Sequence, residues 1–146
     1  IRSGAKMVNA VSNSIVPKIT VILGGSFGAG HYAMCGKAYD PHFIVAWPSA
    51  RYAVMGAEQA AGTISEVRAA AMERKGIEVD REEIEAFYKQ VRDKYQHETD
   101  PLYAASRLWL DAIIDPRDTR HFLSLALESA AHKTELDPFR IGVFQT

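Results

Sequence analysis

The stretch that decides the fold of this chain is Ile19-Thr20-Val21-Ile22-Leu23-Gly24-Gly25-Ser26-Phe27-Gly28-Ala29-Gly30-His31-Tyr32. Its first five residues are nearly all apolar, which is typical of a strand buried on both faces of a parallel sheet. The glycines that follow let the backbone turn sharply and approach a ligand closely. A helix is predicted from Gly30 to Lys37, and the first turn of a helix presents unpaired N–H groups with a partial positive charge. The stretch therefore predicts a site that attracts an anion or a developing oxyanion.

One short pattern within this stretch is that of a serine hydrolase. Gly24 to Gly28 reads G-x-S-x-G, the nucleophile elbow, with Ser26 as the nucleophile between a strand and a helix. The remaining members of a triad, in the order that hydrolases use, would come from four downstream residues: Asp111 or Asp115, and His121 or His132. A chain of this size offers such candidates by chance, so the spacing alone leaves this interpretation open.

Two nucleotide-binding patterns also overlap the glycines. Gly28 to Ala33 reads G-x-G-x-x-A, a dinucleotide fingerprint, but Trp47-Pro48 stands where that motif needs an acidic residue. The spacing from Gly25 to Gly30 matches a phosphate loop, but the lysine and hydroxyl residues of that loop are absent, which excludes it. A tight turn whose glycines serve only close packing remains a further interpretation.

Composition restricts the class of protein. The chain has 146 residues and is 47% hydrophobic, which suits one domain with a real core. A formal net charge of -1, with scattered basic residues, argues against nucleic acid as a partner. Cys35 is the only cysteine, so no disulfide can form within the chain, and we interpret it as a small apolar helix residue. No apolar run or signal peptide predicts a membrane partner. Because Ile1 is not an initiator methionine, we expect the chain to start inside a larger one.

The first half of the chain is predicted to have α/β layering. An apolar stripe of Gly4, Val8, Val11 and Ile15 predicts a helix over residues 2–15, which Pro17 ends. Strands are predicted at 19–23, 43–47 and 50–55, and a small helix from Gly56 to about Ile64.

The second half is predicted to be wholly helical. An amphipathic helix is expected over residues 80–97, and the charge run Asp80–Glu83 would be its solvated start. Asp100-Pro101 and Asp115-Pro116 each place an N-cap acid before a proline at the first helical position. A final helix is predicted through Phe122 and Ala130, followed by an apolar tail at 141–144.

The histidines give no support for metal chemistry, because none of them shows the spacing of a metal-binding motif. His31 is the one with a functional position, in the first turn of the predicted helix. It could hydrogen-bond a ligand, orient the glycine loop, or pack beside that loop. The other four are expected to be solvated or satisfied at the surface: His42, His97, His121 and His132.

Three longer blocks resemble one family. They are Leu23-Gly24-Gly25-Ser26-Phe27-Gly28-Ala29-Gly30-His31-Tyr32-Ala33-Met34-Cys35-Gly36 within residues 16–41; Trp47-Pro48-Ser49-Ala50-Arg51 with Val54-Met55-Gly56-Ala57-Glu58-Gln59-Ala60-Ala61; and Trp109-Leu110-Asp111-Ala112-Ile113-Ile114-Asp115-Pro116-Arg117-Asp118-Thr119-Arg120. In this order they resemble the carboxyltransferase β subunit of biotin-dependent acyl-CoA carboxylases. The Gly-Ser-Phe-Gly-Ala-Gly form with Met-Cys-Gly most resembles the methylcrotonoyl-CoA branch.

The resemblance implies an α/β, crotonase-like (ClpP/crotonase) superhelix of stacked β-β-α units with a helical C-terminal half. It implies that residues 1–146 are part of the C-terminal domain, which receives carboxybiotin, and that the N-terminal domain that holds the acyl-CoA is absent. In the family, two halves from different protomers form each active site within a hexamer. A biotin carboxylase or biotin carboxyl carrier subunit is the implied partner, in the cytoplasm or mitochondrial matrix, and this fragment would be inactive alone.

The resemblance also implies the residues of the site. The backbone amides of Ala29 and Gly30 would form an oxyanion hole for the biotin ureido ring, and no side-chain nucleophile or base would be required. The implied biotin contacts are Phe27, Gly28, Ala29, Gly30, His31 and Tyr32. Phe27 and Tyr32 could either wall the biotin pocket or pack in the core, and we favour the core. Arg51, Arg117 and Arg120 are expected to be structural or interface residues, and the insertion 65–100 to pack on the outside of the assembly.

Other functions remain as alternatives to carboxyl transfer to methylcrotonoyl-CoA. Propionyl-, acetyl- and geranyl-CoA are possible substrates within the same family. Biotin-dependent decarboxylases linked to sodium pumping share the glycine turn and its His-Tyr pair, although their later blocks resemble this chain less. Outside this superfamily, the alternatives are the serine hydrolase centred on Ser26 and a purely structural role in an assembly.

Overall fold

The computed structural model describes residues 2–135 and Pro138, which form six α-helices and five short strands. The helices are α1 (Arg2–Ser12), α2 (Gly28–Ala33), α3 (Ala57–Arg74), α4 (Arg81–Glu98), α5 (Pro101–Ser106) and α6 (Thr119–Ala131). The strands are β1 (Ile19–Ile22), β2 (Gly25–Phe27), β3 (Phe43–Ala46), β4 (Arg51–Ala53) and β5 (Ala112–Ile113). Single 3₁₀ turns cover Lys37–Tyr39 and Pro116–Asp118. The predicted α/β class is confirmed.

The strands form two small parallel sheets that repeat a strand-strand-helix unit. One sheet has the order β1-β3-β5 and the other pairs β2 with β4. Ile19 lies opposite Phe43 in the first sheet, and Gly25 lies opposite Arg51 in the second. Strands β1, β3 and β5 each begin a unit and lie in the first sheet. Strands β2 and β4 are the second strands of the first two units and lie in the other sheet. This arrangement stacks the turn after β2 against the end of β4.

The core lies around β3, which is the central strand of the first sheet. Ile44 and Val45 are completely buried on its two faces, which explains the continuous apolar run in the sequence. Buried residues from both halves of the chain form one cluster: Ile22, Ile44, Ala46, Ala50, Ala104 and Leu110. The glycine turn thus follows directly from a strand that the core holds in place.

The prediction of a wholly helical second half is wrong, because β5 adds a third strand to the first sheet. The Asp111 amide donates to the carbonyl of Ile44 at 2.8 Å, and the Ile114 amide donates to that of Ala46 at 2.9 Å. The strand is two residues long, too short for an alternating pattern to be visible in the sequence.

The C-terminal ends of α1 and α3 differ from the prediction. Helix α1 ends at Ser12 rather than residue 15, and α3 continues to Arg74 rather than stopping near Ile64. The added part of α3 contains three consecutive alanines, at 69–71, which have the highest helix propensity. Helix α3 packs along α4, and the Tyr88 hydroxyl hydrogen-bonds the Glu58 carboxylate across this pair.

Helix α2 begins at Gly28 and ends at Ala33, whereas a helix over 30–37 was predicted. It stops because Cys35 adopts a left-handed conformation with φ of 64°. The Gly36 amide then donates to the carbonyl of His31 at 2.9 Å, which closes the end of the helix. Cys35 is buried as expected of a small apolar residue, but it lies in this turn and not in a helix.

The predicted acidic N-caps are confirmed by hydrogen bonds. The Asp100 side chain accepts from the amide of Leu102 at 2.8 Å, and Asp80, for which no cap was predicted, accepts from that of Glu82 at 2.9 Å. Asp115 does the same for Arg117 at 2.8 Å, at the start of a 3₁₀ turn that leads into α6. The predicted apolar tail at 141–144 lies outside the described residues. Among the helices of the described part, none is long and apolar enough to cross a membrane.

Candidate active site

The glycine turn is a strand followed at once by a helix. Gly25–Phe27, which are predicted to lie in a loop, form β2 and pair with Arg51–Ala53. Gly28 follows with φ of 56°, and a Cβ on it would lie 3.1 Å from the carbonyl oxygen of Val54. Glycine is therefore required at this position both by conformation and by the closeness of the neighbouring chain.

The first turn of α2 has no side-chain cap. Phe27 occupies the N-cap position and makes no hydrogen bond to the turn through its side chain. Helix geometry leaves the first four amides without a partner inside the helix. Ala29 and Gly30 are exposed, and a Cβ on Gly30 would have no atom within 4 Å. Space for a ligand group therefore exists beside Gly30.

Ser26 and His31 are hydrogen-bonded across this turn. Ser26 Oγ lies 2.9 Å from His31 Nδ1, and the direction of donation depends on the tautomer of the imidazole. His31 is buried, with 7% of its surface exposed. Burial lowers the pKa of His31 below its ordinary value of 6.5, so the ring is neutral at neutral pH.

The imidazole ring is enclosed by three neighbours. Its centroid lies 4.3 Å from that of the Tyr52 ring on β4, and 6.0 Å from that of Tyr32. Its second nitrogen, Nε2, is buried and has no hydrogen-bond partner within the described part of the chain. A Cβ on Gly36 would overlap this nitrogen.

A cavity of about 290 Å³ lies beside the turn. It is lined by Gly28, His31, Tyr32, Lys37, Ala38, Tyr52, Ala53, Val54 and Trp109. Three of the six predicted contacts thus line it, while Phe27, Ala29 and Gly30 lie outside the lining set. A larger cavity, of about 550 Å³, is lined mainly by the loop between α1 and β1 and contains none of the predicted site residues.

Phe27 and Tyr32 do not lie in the core of this chain, so the prediction that they pack there is wrong. Their exposed fractions are 37% and 39%. Tyr32 lines the cavity, together with Tyr52 and Trp109, which the sequence analysis did not connect with the site. Tyr52 and Trp109 lie far from the glycines along the chain, so no spacing pattern in the sequence connects them with the site.

The structure does not assemble the predicted hydrolase triad. The partner of Ser26 is His31, whereas His121 and His132 lie exposed on α6 or at its end. Asp111 accepts a hydrogen bond from the Ile44 amide at 2.7 Å and lies 3.6 Å from Lys37. Asp115 is hydrogen-bonded to Arg117 through its side chain at 2.8 Å.

Two of the three arginines named in the matching blocks, Arg51 and Arg117, make contacts within the chain. Arg51 donates to the carbonyl of Ala50 at 2.7 Å and lies 4.0 Å from the Asp100 carboxylate. Arg117 pairs with Asp115, which it follows in the 3₁₀ turn. Among the described residues, no group of three or more potential ligands could hold a metal ion.

Comparison with known proteins decides the family. The model of the carboxyl transferase domain matches residues 1–141. The chain belongs to the carboxyl transferase domain family. It is 52% identical over 144 residues to the mitochondrial methylcrotonoyl-CoA carboxylase beta chain of Arabidopsis thaliana, covering 99% of this chain and 24% of that protein. The chain thus spans about a quarter of the length of this relative.

Two solved structures of this family share the fold. The transcarboxylase 12S structure, a hexamer assembly with hydrolysed methylmalonyl-coenzyme A bound, superposes with a TM-score of 0.78 at 38% identity over 99% of this chain and 26% of that one. The beta subunit of geranyl-CoA carboxylase from P. aeruginosa gives a TM-score of 0.75 at 39% identity, covering 100% of this chain and 30% of that one. The expected crotonase-like fold is confirmed.

Proposed function

We propose that this chain supplies the biotin side of a carboxyltransferase that moves a carboxyl group from carboxybiotin to an acyl-CoA. The observation that carries the proposal is the glycine turn, where an uncapped helix begins at Gly28 beside a cavity with aromatic walls, in a chain of the carboxyl transferase domain family. Residues 1–146 would then be part of the C-terminal domain of the subunit, and a separate N-terminal domain would hold the acyl-CoA.

The backbone amides of Ala29 and Gly30 are proposed as an oxyanion hole. Biotin, when bound, supplies the carboxyl group and bears negative charge on its ureido ring once that group has left. Fixed N–H donors stabilise such a charge without reorganising, and the loss of one donor typically costs roughly a hundredfold to a thousandfold in rate. The first-turn amides suit this role because α2 supplies no acceptor for them and Phe27 does not cap them.

The side chains of the turn are proposed to shape the biotin site. Cofactor sites are mostly apolar with a few placed polar groups, and the cavity beside Gly28 has that character, with Tyr32, Tyr52 and Trp109 in its walls. His31 presents its ring to the cavity, while its two nitrogens are occupied by Ser26 or buried. Phe27 is exposed next to Gly28 and is available to an incoming ring.

The proposed substrate is 3-methylcrotonoyl-CoA, with propionyl-, acetyl- and geranyl-CoA as alternatives. The 52% identity to a methylcrotonoyl-CoA carboxylase beta chain favours the first. The geranyl-CoA carboxylase beta subunit is 39% identical to this chain. We further propose a biotin-carrying subunit as partner and a hexamer as the assembly, since the transcarboxylase 12S relative is a hexamer.

The experiment that tests the proposal is a carboxylation assay of the complete gene product with its biotin-carrying partner. The four acyl-CoAs would be supplied separately, with labelled bicarbonate and ATP, and incorporation into each would be measured. We expect incorporation to be fastest into 3-methylcrotonoyl-CoA and to stop when avidin sequesters the biotin. Absence of incorporation into every acyl-CoA would overturn the proposed function.

A serine hydrolase is the second candidate, because a histidine hydrogen-bonded to a serine hydroxyl can activate it. The 2.9 Å contact of Ser26 with His31 is the observation in its favour. A fluorophosphonate probe separates the two functions, since a carboxyltransferase needs no activated serine. We expect no labelling of the chain. A label on the wild-type protein that Ser26→Ala removes would support the hydrolase.

A further inference from the structure

The glycine turn contains few side chains that could fix its shape. From Gly24 to Gly30, the side chains able to form hydrogen bonds reduce to that of Ser26. This hydroxyl lies in β2 and reaches His31, five residues later, in α2. The Ser26–His31 bond therefore closes a ring of backbone that contains both Ala29 and Gly30. The bond thus links the strand before the turn to the helix after it.

The imidazole ring packs against β4 and against the segment that follows α2. On one side lies Tyr52, on the strand that pairs with β2. On the other lies Gly36, whose amide is bonded to the His31 carbonyl at 2.9 Å and whose missing side chain leaves room for the ring. The ring thus fixes α2 relative to the second sheet.

The two nitrogens of His31 are directed into the protein. Nδ1 faces Ser26, and Nε2 is buried next to Gly36 without a hydrogen-bond partner among the described residues. A neutral ring has a single N–H, so the Ser26 contact is satisfied in either tautomer. Because Nδ1 is engaged by Ser26 and Nε2 is buried, neither nitrogen is presented to a ligand.

We propose that His31 is a positioning residue for carboxyl transfer, and that it acts through Ser26 by fixing the turn that carries the Ala29 and Gly30 amides. The inference rests on the proposed function. It adds that the Ser26–His31 pair holds the two donor amides in place. Amide donors that are displaced by a fraction of an ångström still bind biotin, but they stabilise the charge that develops on its ureido ring poorly. The acyl-CoA is proposed to bind elsewhere, so its affinity does not depend on this pair.

A double-mutant cycle in the complete gene product with its biotin-carrying partner tests the inference. The variants are Ser26→Ala, His31→Gln and the double variant. Each single variant should lower kcat by roughly tenfold to a hundredfold, with KM for the acyl-CoA unchanged. Because both residues act through one bond, the double variant should lose no more than the worse single variant. Losses that multiply would show that His31 acts on the ligand independently and would overturn the inference.

His31→Asn is the matched control. Its side-chain amide lies near the place of Nδ1, whereas that of Gln reaches further along the side chain, so Asn should retain most of the rate that Gln loses. Equal losses in the two variants would overturn the inference. If His31→Gln does not fold, Ser26→Ala decides alone, because this substitution removes only one oxygen atom. An unchanged kcat in Ser26→Ala would overturn the inference. A wild-type complex that carboxylates no acyl-CoA would overturn the proposed function itself, and this inference with it.

Discussion

Gly36 occupies a position where a side chain would overlap the imidazole of His31. A Cβ on Gly36 would overlap Nε2 and lie 3.0 Å from Cε1. The backbone of Gly36, with φ of -64°, is accessible to any residue. Space, and not conformation, therefore requires glycine here, and the requirement comes from the imidazole ring of His31.

Gly36→Ala should therefore destabilise the protein by about 1–3 kcal/mol, the usual cost of forcing an extra methyl group into a packed site. Urea unfolding of the complete gene product would measure the change. Gly62→Ala in α3 is the control, because a Cβ there has no atom within 4 Å and alanine favours a helix by about 0.5–1 kcal/mol.

The same substitution tests whether His31 is the cause. In a His31→Ala background the ring is gone, so Gly36→Ala should cost much less than in the wild-type protein. An equal cost in both backgrounds would mean that Gly36 is required for another reason.

The pH dependence of stability should report the burial of His31. Burial lowers its pKa below 6.5 in the folded state, so in the window between the lowered value and 6.5 the unfolded chain binds more protons. Stability therefore rises with pH through that window and is lost on acidification. From about pH 7.5 to about pH 5, the urea midpoint of the wild-type protein should fall more than that of His31→Asn, which cannot titrate. Parallel pH profiles would contradict this.

The sequence predicted the elements that have strong local patterns. The apolar runs of β1 and β3, the amphipathic helix α4 and the aspartate caps at Asp100 and Asp115 are where they were expected. The strands β2 and β5 were missed because they are three and two residues long and are formed by pairing with distant strands. The end of α2 was missed because the left-handed residue is Cys35, and glycine is the residue that normally signals such a position.

The candidate site was predicted only in part, because several of its contacts form between segments that are distant in the sequence or that meet only in the folded chain. The glycines indicate a strand-to-helix turn locally, and the structure has such a turn, although it follows β2 and its helix begins at Gly28 rather than Gly30. The Ser26–His31 bond depends on β2 and α2 meeting at one angle, which spacing along the chain does not reveal. Tyr52 and Trp109 reach the cavity through sheet pairing and the packing of the second half, so a local pattern could not assign them.

Asp111 is expected to be a structural residue. Its carboxylate accepts from the amide of Ile44, a completely buried residue of the central strand, at 2.7 Å. Asp111→Ala leaves that amide unpaired and should cost about 1–3 kcal/mol in unfolding free energy. Asp111→Asn keeps an acceptor oxygen and should cost less. Faster hydrogen exchange over residues 43–46 in Asp111→Ala, with kcat for carboxyl transfer unchanged, would confirm the role; a collapse of kcat in Asp111→Asn would contradict it.

Gly30→Val should abolish carboxyl transfer while leaving acyl-CoA binding intact. A Cβ on Gly30 meets no atom within 4 Å, so the valine side chain would fill open space beside the exposed start of α2 and obstruct a ligand rather than the fold. Transfer would be measured as labelled carboxyl incorporated into acyl-CoA, and acyl-CoA binding by calorimetry. Gly30→Ala, which adds the Cβ without its two methyl groups, should fall between the wild-type protein and Gly30→Val.

The valine also lowers helix propensity, and a second site separates that effect from obstruction. Gly62 lies within α3, and a Cβ on it would likewise have no atom within 4 Å, so Gly62→Val makes the same chemical change on a different helix. Gly62→Val should transfer carboxyl groups at the wild-type rate. If Gly30→Val also transfers at the wild-type rate, no ligand approaches the Gly30 amide closely. A donor amide covered by an isopropyl group could not stabilise the developing charge, so the proposed oxyanion hole would have to lie elsewhere in the protein.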